Sequence, residues 1–179
     1  MRFPSFAAAF AAATLATAAG AATVVVDFND LTAPGFTGNF GVFASSVGGI
    51  AASVNGTPFL AVPSNAGSGA ADYTPGAAIV SFTFDWGTPD SYNTLSFFSG
   101  NTAVGPSYTG ASLAPGTYTF TFLATDNVTR VNFASTSAAF EIDNLSTTTV
   151  PEPAAWALMI VGFVMVGAAS RRRNSAVAA

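Results

Sequence analysis

The sequence contains no cysteine and no histidine. Without cysteine there is no disulfide staple, no thiolate ligand for zinc and no sulfur nucleophile. Without histidine, the Ser/His/Asp and Cys/His triads, His-bound metal centres and the commonest general base near neutral pH are excluded as well. Charge is scarce: only 8% of the 179 residues are charged, too few for charge-driven disorder. Basic residues are scarcest in the middle of the chain. Arg2, Arg171, Arg172 and Arg173 lie at the two ends, which leaves Arg130 alone against Asp27, Asp30, Asp72, Asp85, Asp90, Asp126, Glu141 and Asp143. One basic side chain against eight acidic ones, a net charge of −7, offers a phosphate backbone no patch to bind. Nucleic acid is excluded as a partner.

What the chain has is apolar residues, which make up half of it. That is enough for the core of one domain once the two hydrophobic ends are set aside. At the N-terminus, Met1-Arg2 is a short positive start and Phe3 to Ala19 an Ala-rich apolar run. Ala19-Gly20-Ala21 then forms an A-x-A pattern, which predicts cleavage before Ala22 or one residue later. Residues 1–22 therefore read as a secretory signal peptide, handled by Sec machinery and signal peptidase. A surface helix of a folded domain would need a polar face, and this run has almost none.

At the C-terminus, Ala154 to Ser170 is a run of 17 residues without a charge. As a helix rising about 1.5 Å per residue it spans roughly 25 Å, sufficient for a thin or locally adapted bilayer. Arg171, Arg172 and Arg173 follow at once. The positive-inside bias keeps them cytoplasmic, together with the tail at 174–179, and places the preceding domain outside the inner membrane. Trp156 falls near the outer interface, where an indole is favoured.

Just ahead of this run stand Pro151-Glu152-Pro153. The tripeptide, then Ala154-Ala155-Trp156-Ala157, Met159-Ile160, Gly162-Phe163 and the three arginines, together resemble the PEP-CTERM sorting domain in its PEPxxWA form. The resemblance covers 151–173 and implies processing by an exosortase, with the mature product attached at the cell surface or released outside. Both prolines fix φ and disfavour helix in the residue before them, so the tripeptide is expected to stay extended, as a peptidase cleft requires. The resemblance is silent on the fold and ligand of the rest.

Between the ends the apolar period is two. Val80, Phe82, Phe84 and Trp86 alternate with Ser81, Thr83 and Asp85; Tyr118, Phe120 and Phe122 alternate with Thr117, Thr119 and Thr121. Further strands are expected at 23–28, 40–45, 50–54, 59–62, 92–98, 128–133 and 139–144, separated by turn signals such as Pro34-Gly35, Asn55-Gly56, Pro75-Gly76 and Pro115-Gly116. No amphipathic helix of useful length appears. The expected fold is all-β: an antiparallel β-sandwich of eight to ten strands over 23–145, jelly-roll or immunoglobulin-like, with 146–150 as a polar linker to the tripeptide.

Candidate sites are few. Asp27 and Asp30 end the first expected strand. Glu141 and Asp143 alternate with Phe140 and Ile142 on the last, and so share the face turned away from the core. First and last strands of such sandwiches often lie side by side, and converging carboxylates without a cation repel each other. Asp27, Asp30 and Asp143 are therefore candidate ligands of a structural calcium ion, weighed against plain solvated acids. Sugar binding needs exposed aromatics; Tyr73 and Tyr108, placed in loops, are the candidates, whereas Trp86 continues the inward series of its strand.

Three readings remain. The first is a non-enzymatic surface or matrix protein associated with exopolysaccharide or biofilm. The opening Val26-Asp27-Phe28-Asn29-Asp30-Leu31 and the ending Phe140-Glu141-Ile142-Asp143-Asn144-Leu145 are similar to those of many PEP-CTERM ectodomains and, more loosely, of jelly-roll carbohydrate-binding modules, which is the second reading. The third is a glycoside hydrolase, which two carboxylates can run without histidine, although no pair is marked as facing a cleft.

Overall fold

A computed structural model describes residues 21–50, 55–150 and 160–167. The signal-peptide residues 1–20, the tripeptide Pro151, Glu152 and Pro153, Trp156, the arginines at 171–173, the tail at 174–179 and the expected strand residues 51–54 lie outside the described residues. The chain divides into two compact units, one running from Gly20 to Glu152 and the other comprising the two ends. In the latter, residues 160–167 are helical, inside the expected 154–170 span, and their large apolar side chains are exposed. No helix of the described residues is long and apolar enough to cross a membrane.

The first unit is built of antiparallel strands in two sheets, the sandwich that period-two alternation calls for. Its described strands are β1 (Ala22–Val26), β2 (Phe36–Gly38), β3 (Gly41–Phe43), β4 (Phe59–Val62), β5 (Gly69–Tyr73), β6 (Ile79–Trp86), β7 (Asn93–Ser99), β8 (Thr102–Ala103), β9 (Tyr108–Thr109), β10 (Gly116–Thr121), β11 (Arg130–Ser135) and β12 (Phe140–Thr149). One sheet runs β10-β6-β12-β4-β3, with β1 also on β12; the other runs β2-β5-β11-β7-β8, with β9 also on β7. The core between them is aromatic. Phe82, Phe84 and Trp86 of β6 meet Phe97 of β7, Phe133 of β11 and Phe140 of β12, all buried. Phe133 stands edge-on to both Phe84 and Phe140, an arrangement that ring quadrupoles favour.

β12 organises the first sheet. β6 lies along one side of it, while the other side is shared by β4 at residues 140–142 and β1 at residues 145–149. The change of partner occurs at a bulge, where the register with β6 shifts between Asp143 and Ser146. Asn144 sits there at φ +47, a left-handed conformation that asparagine tolerates better than most residues. The first and last strands therefore pair, with Ala22 opposite Thr149 and Val26 opposite Leu145.

Two expectations are corrected. Residues 146–149 are not a linker: they complete β12, held by β1 and β6 together, and the Val150 N–H donates to the Ala78 carbonyl at 2.8 Å. Alternating threonines disguised the strand as polar linker, yet Thr147 and Thr149 turn inward and are buried. Nor are Glu141 and Asp143 solvated, at 1% and 0% exposure. Their face of the sheet carries a second apolar cluster of Ile50, Phe59, Ala61 and Ala139, in which Phe59 and Ala61 come from β4 and Ile50 from the turn it closes with Val47.

Candidate functional site

The acidic residues nominated from sequence take separate partners. Asp27 is exposed and accepts from the Asn29 N–H at 3.2 Å and from the Asn29 side-chain amide at 3.0 Å. Asp30 is exposed in a second turn of the same kind, accepting from the Thr32 N–H at 3.0 Å and the Thr32 hydroxyl at 2.7 Å. Those two bonds, the hydroxyl first, hold the Asp30 carboxyl below its ordinary range. Asp143 is buried instead, accepting from the Thr57 hydroxyl at 2.6 Å and the Asn144 N–H at 2.7 Å. Among the described residues no group of three or more His, Cys, Asp or Glu side chains is placed to hold a metal ion.

What sequence reading missed is the polar system that joins Asp143 to its neighbour on β6. Asp85 of β6 stands directly opposite Asp143, an arrangement that is unfavourable for two carboxylates left to themselves. Each has its own donors. Asp85 accepts from the Thr117 hydroxyl at 2.5 Å and from the Asn144 side-chain amide at 2.8 Å, so Asn144 serves both acids, one through its side chain and one through its backbone. Two residues before Asp143, Glu141 accepts from the Thr88 hydroxyl. Nearby, Tyr92 donates to the Ala138 carbonyl, and its phenol is pushed up to about 12 by burial first, then by Asp90 and Glu141. The signal was the direct alternation Asp85, Thr117 and Asp143 on three strands, which becomes readable only once their order is known. Asp143 is fully buried, whereas Asp85 is partly exposed.

The two tyrosines part company. Both stand on strands, not in loops. Tyr73 ends β5 and is 2% exposed, its ring 5.0 Å from Phe36 and 6.2 Å from Phe82. Burial raises its phenol pKa. Its ring nevertheless forms part of the wall of a cleft of about 310 Å³ between β1 and two turns, lined also by Val24, Val26, Pro34, Gly35 and Pro75. Tyr108 belongs to β9, at the other side of the same sheet, and is 37% exposed, with its ring edge-on to Phe120 at 4.8 Å. The two rings do not form one platform. Trp86 is in the core as expected, stacked on Phe140.

On the open face of the second sheet, Asp72, Asn132 and Arg130 form a small constellation. The Asp72 carboxylate accepts from Arg130 at 2.8 Å and from the Asn132 amide at 2.7 Å, and the guanidinium lies 4.1 Å from the Phe98 ring centroid. The one cation of the sandwich is thereby neutralised in place.

The decisive observation lies at the end of β12, where the last ladder residue, Thr149, opens a recognisable segment. Residues 149–173 match the PEP-CTERM protein-sorting motif. A motif of this kind indicates an exosortase-sorted surface protein. No curated protein matches the chain. Among solved structures, a chain reported with the Ruminococcus flavefaciens cellulosome and its expansion in glycan recognition is 15% identical, with a TM-score of 0.41. The alignment covers 75% of this chain and 98% of that one.

Proposed function

We propose that the chain is a non-enzymatic matrix protein: an exported β-sandwich, held at the inner membrane as a precursor by its 154–170 segment, then delivered by exosortase to the cell surface, where it associates with exopolysaccharide or biofilm. The observation that carries this reading is the junction of sandwich and sorting motif. The motif begins on the last residue of β12, so the folded sandwich is itself the cargo. Supporting it, the facing acids Asp85 and Asp143 accept from hydroxyls and amides, and Asp143 is fully buried. The test is retention of the purified Ala22–Val150 sandwich on exopolysaccharide extracted from the producing cells, compared with an unrelated acidic sandwich. Passage of both in the void volume would overturn the matrix association while leaving sorting intact.

A second reading, a carbohydrate-binding module with a discrete site, is favoured by the cleft at Tyr73. Walls of Val24, Val26, Pro34 and Pro75, with the nearly buried Tyr73 behind them, suit the apolar face of a sugar ring. Tyr73→Ala, which opens the cleft floor, and Pro34→Ser, which makes its rim polar, should each weaken glycan retention if the cleft binds. If retention persists in both variants, binding is spread over the surface.

A further inference from the structure

The two processed ends of the sandwich meet in one ladder. The A-x-A pattern predicts a mature chain that begins at Ala22 or one residue later, and Ala22 is the first residue of β1. It lies opposite Thr149, the last residue of β12 and the first of the sorting motif. The ladder between them is closed on both sides. Ser146, Thr147, Thr148 and Thr149 pair with β1 across one edge and with Thr83, Phe82, Ser81 and Ile79 of β6 across the other. Beyond the ladder, Val150 is still pinned to Ala78.

A peptidase binds its substrate as an extended strand whose backbone N–H and C=O groups face the enzyme. Groups already committed to a sheet are not free to do so. This constraint falls differently on the two cuts. At the N-terminus the bond to be broken abuts Ala22, a ladder residue. At the C-terminus the tripeptide starts just outside the ladder.

We infer that the fold orders the two processing steps. Signal peptidase cuts while Ala22–Val26 is unpaired, and exosortase then receives a closed sandwich, reading from Pro151 onward without taking Leu145–Val150 as strand. Peeling those residues away would break two ladders and expose Leu145, Thr147 and Thr149, all buried. The partner surface on the sandwich side is the rim formed by Ala22, Ala78 and Val150, and exosortase must accommodate a globular domain flush against its tripeptide. This inference rests on the sorting motif and the cut before Ala22, not on any glycan.

The test uses a lock. Thr23 and Thr148 are direct partners with hydroxyl oxygens 3.2 Å apart. Opposed residues in an antiparallel pair have Cα atoms about 4.5–5.5 Å apart, within disulfide range. The chain has no cysteine, so Thr23→Cys with Thr148→Cys gives a single possible intramolecular bond. Full-length precursor of this variant, from cells depleted of exosortase, is oxidised with diamide, which takes the two thiol hydrogens. It is then added to exosortase-bearing membranes, and its intact mass is followed. Oxidised and reduced forms should lose the C-terminal segment at the same rate. A locked form that stays full length while the reduced form is processed would overturn the inference. Precursor retaining its signal peptide should show the opposite pattern with signal peptidase: cut when reduced and resistant when locked. Equal cutting there would also overturn it. A Gly-Ser spacer between Val150 and Pro151, which leaves the sandwich untouched, should not speed sorting; a tenfold gain would show that the enzyme needs slack upstream. If the parent precursor itself keeps its C-terminal segment, the sorting reading fails first.

Discussion

Trp86 of β6 and Phe140 of β12 lie face to face, ring centroids 4.3 Å apart and planes 4° apart. The contact ties neighbouring strands of one sheet and sits where Phe84 and Tyr118 also touch the indole. Trp86→Ala should cost about 3–5 kcal/mol, the range for truncating a large buried aromatic. Trp86→Phe should cost less, about 1–2 kcal/mol, because the buried indole N–H has no hydrogen-bond partner to lose. Urea unfolding of the isolated sandwich measures both; equal losses would show that the indole nitrogen matters.

The Thr57 hydroxyl reaches from the covering segment to the buried Asp143 carboxylate. Asp143→Ala removes a buried acceptor that takes the Thr57 hydroxyl and the Asn144 N–H, and a loss of about 1–3 kcal/mol is expected. Thr57→Ala should lose less than that, and the double variant should fall short of the sum of the two, since both substitutions break one bond. Additive losses would mean that the two residues do not interact.

Alkali should weaken the sandwich. Tyr92 is held protonated to about 12 by burial and by the neighbouring Asp90 and Glu141, against an ordinary value of 10.0, and Tyr73 is raised by burial as well. A group whose folded pKa lies above its unfolded one contributes stability that is complete below the unfolded value and lost as pH rises through the folded one. The melting temperature should therefore decline between about pH 10 and 12. In Tyr92→Phe the decline should be shallower. An unchanged slope would assign the loss to Tyr73 or to general charge repulsion.

Calcium should leave the melting temperature unmoved, because Asp27 and Asp30 bond within their own turns while Asp143 is buried with hydroxyl and amide donors. Melts in calcium and in chelator are expected to superimpose. A shift of several degrees in calcium would reveal a site built from other oxygens.

Replacing Pro151, Glu152 and Pro153 together with alanine should leave the export step intact and abolish exosortase processing. Intact-mass analysis of cell fractions is expected to find the variant still carrying its C-terminal segment, in the membrane. A mature mass and location equal to the parent's would sink the assignment.

Much of the architecture was legible in the residues. Phe82, Phe84 and Trp86 alternate as a half-buried strand must, and all three are in the core. The 59–62 strand was placed at its true limits, although Phe59 and Ala61 face a second apolar cluster and not water. β5 was invisible because Gly69-Ala70-Ala71-Asp72-Tyr73 has too little side chain to show a period. β2, β8 and β9 were too short to carry one. Tyr118 and Phe120 follow the pattern yet are only half buried, since β10 is at the edge of its sheet. The acids failed for a different reason. A run of five or six residues shows which side chains share a face, but whether that face is wet depends on residues from elsewhere in the sequence, here Ile50 and Thr57. The sorting motif alone could be read locally, because recognition there depends on consecutive residues.

Head meets tail in this sandwich, Ala22 against Thr149, so the mature polypeptide is nearly a closed loop already. A bridge of a few residues between those ends would complete the circle. New termini could then be opened at Gly48-Gly49, an exposed turn closed by Val47 and Ile50, without disturbing either sheet. Such a circular permutant would keep the fold while uncoupling it from both of its secretory addresses.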